Sequence, residues 1–382
     1  MMRRLILSAL FLVSWILRPA PAALLIQEGF DLYGYNGPWA TTNCVLDSRM
    51  FAAGAAYLAT SFGARGGPCL YISGNANGVQ SGYYWGVRLP ADKVDGVFGV
   101  RVKPQYCAAA STEMIRVRSA AAATQFCLDV TNVGRIRVKA AYGGAVLAES
   151  ADGAITFDVF QFLEVQFTCD GTDTVQVWVD GVEKIALTSS LNLRQSGAGG
   201  FGQLMLGGQA STTSFNTYYD DLYILDSSGD APFNDRLGDQ KLDGHLPTAD
   251  GTGHDWTHTA ASVYQSINVV GSAYATNYTQ SDTVGQRAGV AITPNSFTTI
   301  HAVTIRAYCR NPGGGTAKFR PYVKIGGTRY YGDEVTLPAD TCDLREYVWY
   351  KNPALSPPND AWTTAALGSA ELGWETTELT AP

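Results

Sequence analysis

Charge is scarce in this sequence. Asp, Glu, Lys and Arg make up 16% of the 382 residues, against about 25% in an ordinary soluble protein. No run of like charge stands outside the first residues, which excludes a charge-driven disordered chain and phosphate-led nucleic-acid binding. Stretches rich in Glu, Lys, Leu and Ala are missing too, so a coiled coil or long-helix protein is excluded. There are four His, and none of the seven Cys lies within C-x-x-C spacing of another. Zinc ribbons and dithiol redox motifs are therefore absent. The longest apolar run, Leu5 to Leu17, has 13 residues and is short for a membrane span.

What the chain has in quantity is Gly (41), Tyr (20) and Phe (15). Apolar and polar residues alternate with period two through Val97–Val102, Met114–Arg118, Gln125–Val130, Arg135–Lys139 and Phe162–Phe167. Leu163, Val165 and Phe167 fall on one face of the last of these. Val175–Val179 runs into Asp180-Gly181 and returns through Val182–Leu187, the strongest short hairpin signal. Strands are also expected at Leu204–Leu206, Tyr219–Leu225, Val263–Val270, Thr299–Tyr308, Phe319–Ile325 and Tyr347–Tyr350. Successive strands without intervening helices exclude a parallel sheet with crossover helices. The pattern predicts an all-β, antiparallel β-sandwich.

Residues 1–23 stand apart. Arg3 and Arg4 precede the apolar run, and Ala20-Pro21-Ala22-Ala23 follows it, the layout of a secretory signal. A start near Leu24, with over-annotated sequence upstream, fits equally, and both readings stay open. Without residues 1–22 the net charge falls from −7 to −10. Residues 24–232 then read as a first domain and 257–382 as a second, smaller β-sandwich. Between them, residues 233–256 form an acidic, Gly- and Pro-punctuated connector with few apolar residues to bury.

Three segments carry a resemblance: Leu24–Asp31, Val175–Gly181 and Tyr219–Asp226. Together they resemble concanavalin-like (laminin-G-like) jelly-roll domains, most closely those of structural proteins in tailed-bacteriophage virions. Phe233–Asp239, Leu246-Pro247-Thr248 and Asp255-Trp256-Thr257 look like the joint after that domain. Asn352-Pro353-Ala354, Ala361-Trp362-Thr363 and Glu371–Glu375 look like the end of the C-terminal domain in such proteins. The resemblance implies a virion component, a fibre, tail or head-decoration protein acting in particle assembly, stabilisation or host-surface attachment. It places the protein in the virion, with no membrane association of the mature form. Two alternatives remain: a secreted lectin-like glycan-binding protein, and a jelly-roll polysaccharide-active enzyme.

The residues themselves offer little catalysis. His254 and His258 stand at an i, i+4 spacing that needs a helix to aim both rings at one ion, yet they lie in connector sequence. No Gly-x-Ser-x-Gly elbow is present. Asp220 and Asp221 alternate on one strand, so they cannot form the carboxylate pair of a glycosidase. No enzyme activity and no cofactor are expected. Asp170, Asp180, Asp220 and Asp221 are the hard-oxygen candidates for Ca²⁺ near strand ends. Tyr33, Tyr35, Trp39, Tyr83, Tyr84 and Trp85 are candidates for glycan contact, with core or rim packing as their alternative. Cys309 and Cys342, the two cysteines of the C-terminal half, are candidates for a disulfide. Open sheet edges with few charged residues predict a homo-oligomer, trimer or dimer, docked on other virion proteins of capsid or tail.

Overall fold

The computed structural model describes residues 24–28, 30, 37–38, 50–53, 56–59, 69–73, 83–105, 111–141, 143–194, 200–208, 216–229, 231–267, 277–311, 315–337, 342–357 and 359–380. The leader lies outside them. Among the described residues, strands dominate and every pairing is antiparallel.

Residues 24–225 build two sheets. The nine-stranded sheet runs Val182–Thr188, Thr174–Val179, Gln161–Thr168, Asp95–Pro104, Asn216–Leu225, Cys69–Ser73, Ala56–Ala59, Gly37–Pro38, with Leu24–Glu28 added against Asn216–Leu225. The seven-stranded sheet runs Val146–Glu149, Ile136–Lys139, Thr124–Thr131, Ser111–Arg118, Phe201–Gly208, Tyr83–Lys93, Met50–Ala53. Neighbours remote in sequence, such as Ser111–Arg118 beside Phe201–Gly208, are what make this a jelly roll and not a meander.

The alternation read from the sequence sets the core. Leu163, Val165 and Phe167 of one sheet meet Phe126, Leu128 and Leu204 of the other. Phe167 sits edge-on to Phe126 and Phe201, at 5.0 and 5.3 Å between ring centres. The Asp180-Gly181 turn has positive φ at both residues, 51° and 76°, the conformation that a two-residue hairpin needs.

Residues 249–379 build the second sandwich. A six-stranded sheet runs Ala249–His254, Arg287–Ala291, Glu371–Leu379, Ala317–Ile325, Thr328–Tyr331, with Val335–Leu337 beside Ala317–Ile325. Its inner residues Phe319, Leu372 and Trp374 share a cluster with Val303, Ile305 and Trp349 of the two-stranded sheet Val303–Arg310/Cys342–Trp349.

Two expectations need correction. Val263–Val270 is not a strand over its described part: Val263–Ile267 is a short helix. The Ser262 hydroxyl accepts the Gln265 N–H, the Asp250 carboxylate accepts that of Tyr264, and Val263 is fully buried. Capping and burial thus override β-branched propensity over five residues. The segment read as an acidic, turn-rich connector, residues 233–256, is partly built into the fold. Its last part, Ala249–His254, is a sheet strand. Phe233 packs with Leu24, Val97, Phe162, Tyr223 and Leu225, against Ala302, Val348 and Tyr350 of the C-terminal half.

Residues 236–242 lie as a strap over the outer face of the nine-stranded sheet. The register sets Trp178, Glu164, Gly99 and Tyr223 in one row across that face. The Arg236 guanidinium stacks 3.9 Å from the Trp178 ring centre and donates to Glu164 at 3.1 Å. Glu164 also accepts from the Tyr223 hydroxyl (2.6 Å) and the Gly238 N–H (2.9 Å). Gly99 makes room, since a Cβ there would lie 2.3 Å from the Tyr223 ring.

Candidate functional site

Most of the sequence-chosen residues turn out to be structural or dispersed. Tyr33, Tyr35 and Trp39 lie outside the described residues, as does the side chain of Tyr83. Trp85 is no glycan contact: it points into the core, fully buried, with its ring edge-on to Phe30 at 5.3 Å. Tyr84, one residue earlier, falls on the opposite face and stays half-buried.

The four aspartates do not converge. Asp170 and Asp180 stand at opposite ends of the Gln161–Thr168/Thr174–Val179 pair, roughly 20 Å apart at about 3.3 Å per residue. Asp170 accepts from the Thr172 hydroxyl and N–H, bonds that hold its carboxyl below the usual range. Asp180 accepts the Phe162 N–H at 2.8 Å and the Gln161 amide at 3.1 Å, both from the neighbouring strand. Asp221 has φ of 51° at a bulge, where the register slips between Asp220 and Tyr223, so the simple alternation breaks there. Both acids are buried. Asp221 pairs with Arg101 at 3.1 Å and accepts the Leu242 N–H of the strap at 2.7 Å, while Asp220 accepts the Asp221 N–H.

His254 and His258 are exposed, each with Nδ1 on a backbone carbonyl, of Gly251 and Ala260. Cys309 opposes Asp343 and Cys342 opposes Arg310, so the two cysteines occupy neighbouring rungs of their ladder. Among the described residues, no three His, Cys, Asp or Glu side chains come together as a metal site. No helix among them is long and apolar enough to cross a membrane.

The chemistry-bearing surface is the outer face of the seven-stranded sheet. Ile115, Val117, Phe126, Leu128, Ile136, Val138, Leu204 and Leu206 point inward, and, apart from Met114 at a bulge, their neighbours along each strand point outward. The register then lines up Lys139, Cys127, Arg116, Met205 and Gly86 across five strands. The next row holds Arg118, Gln203 and Arg88. On the other side stand Arg137, Asp129 and Glu113. Arg88 is exposed, Tyr84, Arg116, Arg118 and Arg137 are half-buried, and Glu113, Cys127, Asp129, Lys139 and Gln203 are buried.

Two bidentate pairs organise this face. Arg116 engages Glu113 at 2.5 and 2.6 Å, and Arg137 engages Asp129 at 2.9 and 2.9 Å, with Lys139 on Asp129 at 3.4 Å. Burial works against the Arg116 charge, but the hydrogen bonds and charge of Glu113 outweigh it and raise its pKa. Arg118 differs. Its Nε donates to the Ala122 carbonyl at 2.7 Å, and one terminal nitrogen lies 3.4 Å from the Met205 sulfur. Burial, then the neighbouring charges of Arg116 and Arg88, depress its pKa. Burial above all, with Glu113 and Asp129 adding to it, pushes the Cys127 thiol up, so it sits there as an inert small side chain.

In sequence, Met114–Arg118 and Arg135–Lys139 read as strand signatures and not as a site. The available signal was arginine and lysine at every second position of both strands. Which strands lie side by side was not available.

No family model matches the chain, and no curated protein matches it. Among solved structures, the cellulose-induced protein Cip1 is similar over 56% of this chain and 100% of its own, at 15% identity and TM-score 0.40. Alginate lyase Aly36B matches over 54% and 98%, at 10% identity and TM-score 0.35. The carbohydrate esterase vb_24B_21 from the Shiga toxin-encoding bacteriophage phi24B matches over 46% and 89%, at 14% identity and TM-score 0.34. The antiparallel jelly-roll sandwich itself is established by strand order and register.

Proposed function

We propose that the protein is a non-catalytic, glycan-binding virion component that uses the outer face of the seven-stranded sheet to hold a saccharide on a host surface. One observation carries the reading: planar, multi-donor side chains stand in register across three adjacent strands, with the half-buried Tyr84 beside them. Vicinal sugar hydroxyls need such paired donors and acceptors, and a tyrosine ring offers a flat apolar face. The four histidines all lie between residues 245 and 301, so the described part of this face has no imidazole base, which supports binding over turnover. The virion placement is supported by the resemblance of the joint and C-terminal motifs. Phe233 packs between the two halves, Arg236 bonds Glu164, and Glu371 bonds Tyr322, so both motifs have structural partners. The outermost strand, Val182–Thr188, leaves Val182 and Leu187 exposed, which supports self-association along that edge.

A glycan array probed with the full chain tests the binding reading. Retention on a defined set of saccharides is expected, and Gln203→Ala combined with Tyr84→Ala should abolish it. Release of reducing or unsaturated ends from a bound glycan would instead establish the enzyme alternative. Absence of the chain from purified particles would remove the virion placement.

A further inference from the structure

We infer that this face selects an acidic saccharide, and that Arg118, with Arg88 beside it, receives the carboxylate of a uronic or sialic acid residue. The inference rests on the glycan-binding reading and narrows it to a ligand class.

Charge is distributed unevenly on this face. Arg88, Arg116, Arg118, Arg137 and Lys139 share it with Glu113, Asp129 and Glu149, in a chain whose net charge is −7. The three carboxylates are committed: Glu113 to Arg116, Asp129 to Arg137 and Lys139, and Glu149 to Arg135. Arg118 shares in none of them, and among the described residues no carboxylate pairs with it. Its Nε and one terminal nitrogen are fixed by a backbone carbonyl and a thioether. Those two contacts hold the guanidinium plane and leave the other terminal nitrogen to a ligand. The cations Arg116 and Arg88 act on it unfavourably, so an incoming anion would relieve repulsion as well as form hydrogen bonds. That terminal nitrogen keeps two N–H donors for a charge-assisted hydrogen bond to a carboxylate.

The neighbouring amide favours a sugar acid over a phosphate polymer. Gln203 donates its Nε2 to the Ala120 carbonyl at 3.1 Å, which fixes the amide and leaves Oε1 to accept. A uronic acid presents hydroxyl donors next to its carboxylate. A phosphodiester at neutral pH presents acceptors alone, and Oε1 would repel it. One row of the sheet, Arg118–Gln203–Arg88, thus presents donor, acceptor and donor in order.

Calorimetry with the full chain tests this. The probes are hexamers of galacturonate, of mannuronate and of α2,8-linked sialate, the carboxyl-reduced form of each, and a sulfated dextran of similar length. At least one acidic hexamer should bind about tenfold or more tighter than its reduced form, as expected for a charge-assisted hydrogen bond. Arg118→Gln should remove that preference with the melting temperature unchanged. Arg88→Gln should weaken binding several-fold, while Lys184→Gln on the far edge strand should leave it intact. Equal binding of acid and reduced forms overturns the inference and leaves the glycan reading standing, as does preference for the sulfated probe. Binding to none of the probes, with an empty glycan array, overturns both. Loss of the preference only when Arg118→Gln also unfolds the protein makes Arg88→Gln decisive, because that side chain is exposed.

Discussion

The two outer faces of the jelly roll are made by the same alternation, yet they end differently. On the nine-stranded sheet, Glu164 is completely buried, and Tyr223, Arg236 and the Gly238 N–H occupy its oxygens. The strap supplies two of those three partners. On the seven-stranded sheet, Glu113 and Asp129 are just as buried, but their partners come from the sheet itself, and Arg118 is left over. A polar residue on an outer face therefore says little about function. What matters is whether its hydrogen-bonding capacity is used up within the fold.

The strap supplies the sharpest test of that contrast. Glu164→Ala leaves Arg236 without its carboxylate and strands the Tyr223 hydroxyl and the Gly238 N–H under the strap. Breaking a buried pair in this way should cost about 3 to 5 kcal/mol. Urea unfolding monitored through Trp178 should show it as a marked fall in midpoint. A loss below about 1 kcal/mol would mean that the strap is a loose cover and that the two faces do not differ as described.

The six-stranded sheet of the C-terminal half gives a third face, saturated without any strap. Glu371 accepts from the Tyr322 hydroxyl, from the N–H and hydroxyl of Thr252 and from the Gly253 N–H. Although burial opposes its charge, these bonds lower its pKa from 4.5 to about 2. Glu375 lies below its ordinary value too: its bonds to Arg320, Tyr331 and Arg287 overcome burial. Folded-state pKa values below the unfolded ones stabilise the protein above about pH 4.5 and withdraw that support as pH falls toward 2. The pH dependence through Glu371 should total about 3 kcal/mol. Glu371→Gln should lower stability at neutral pH and flatten the acid limb of the midpoint-versus-pH curve. Parallel curves for the two proteins would contradict the network.

Gly99 probes the strapped face from beneath. A methyl there meets the Tyr223 ring at 2.3 Å and the Phe162 ring at 2.9 Å. Both rings belong to the packed seam with Phe233, so neither can swing clear. Gly99→Ala should cost about 1 to 3 kcal/mol by calorimetric melting. No change would show that the ring of Tyr223 has room which the packed row denies it.

Much of this was legible in the sequence. Period-two alternation gave the strands, and Asp180-Gly181 gave its hairpin. Glu371–Glu375 stood out before its logic was visible: Leu372 and Trp374 face the core, Glu371 and Glu375 face the polar network, and Gly373 makes room for Tyr322. The strap was not legible. Arg236 and Glu164 are 72 residues apart, and an acidic, turn-rich segment reads as linker until its partners are known. The row of Arg118, Gln203 and Arg88 was hidden for the same reason, because sheet order and not sequence makes these three neighbours. The aromatic cluster misled where Trp85 sits one residue from Tyr84 on the opposite face of its strand.

The smallest effect is the most telling for the open face. Arg118 holds a backbone carbonyl and a thioether and leaves no buried carboxylate behind when it is removed. Its charge is also disfavoured by burial and by Arg116 and Arg88. Arg118→Gln should therefore shift stability by no more than about 0.5 kcal/mol, the range of a surface substitution. Arg116→Gln, two residues earlier on the same strand, should cost several times more, because it leaves Glu113 buried with a broken pair. Denaturant midpoints of the two variants, measured side by side, separate a residue the fold requires from one it merely carries. Equal losses would make Arg118 part of the scaffold and deny the seven-stranded face its uncommitted cation.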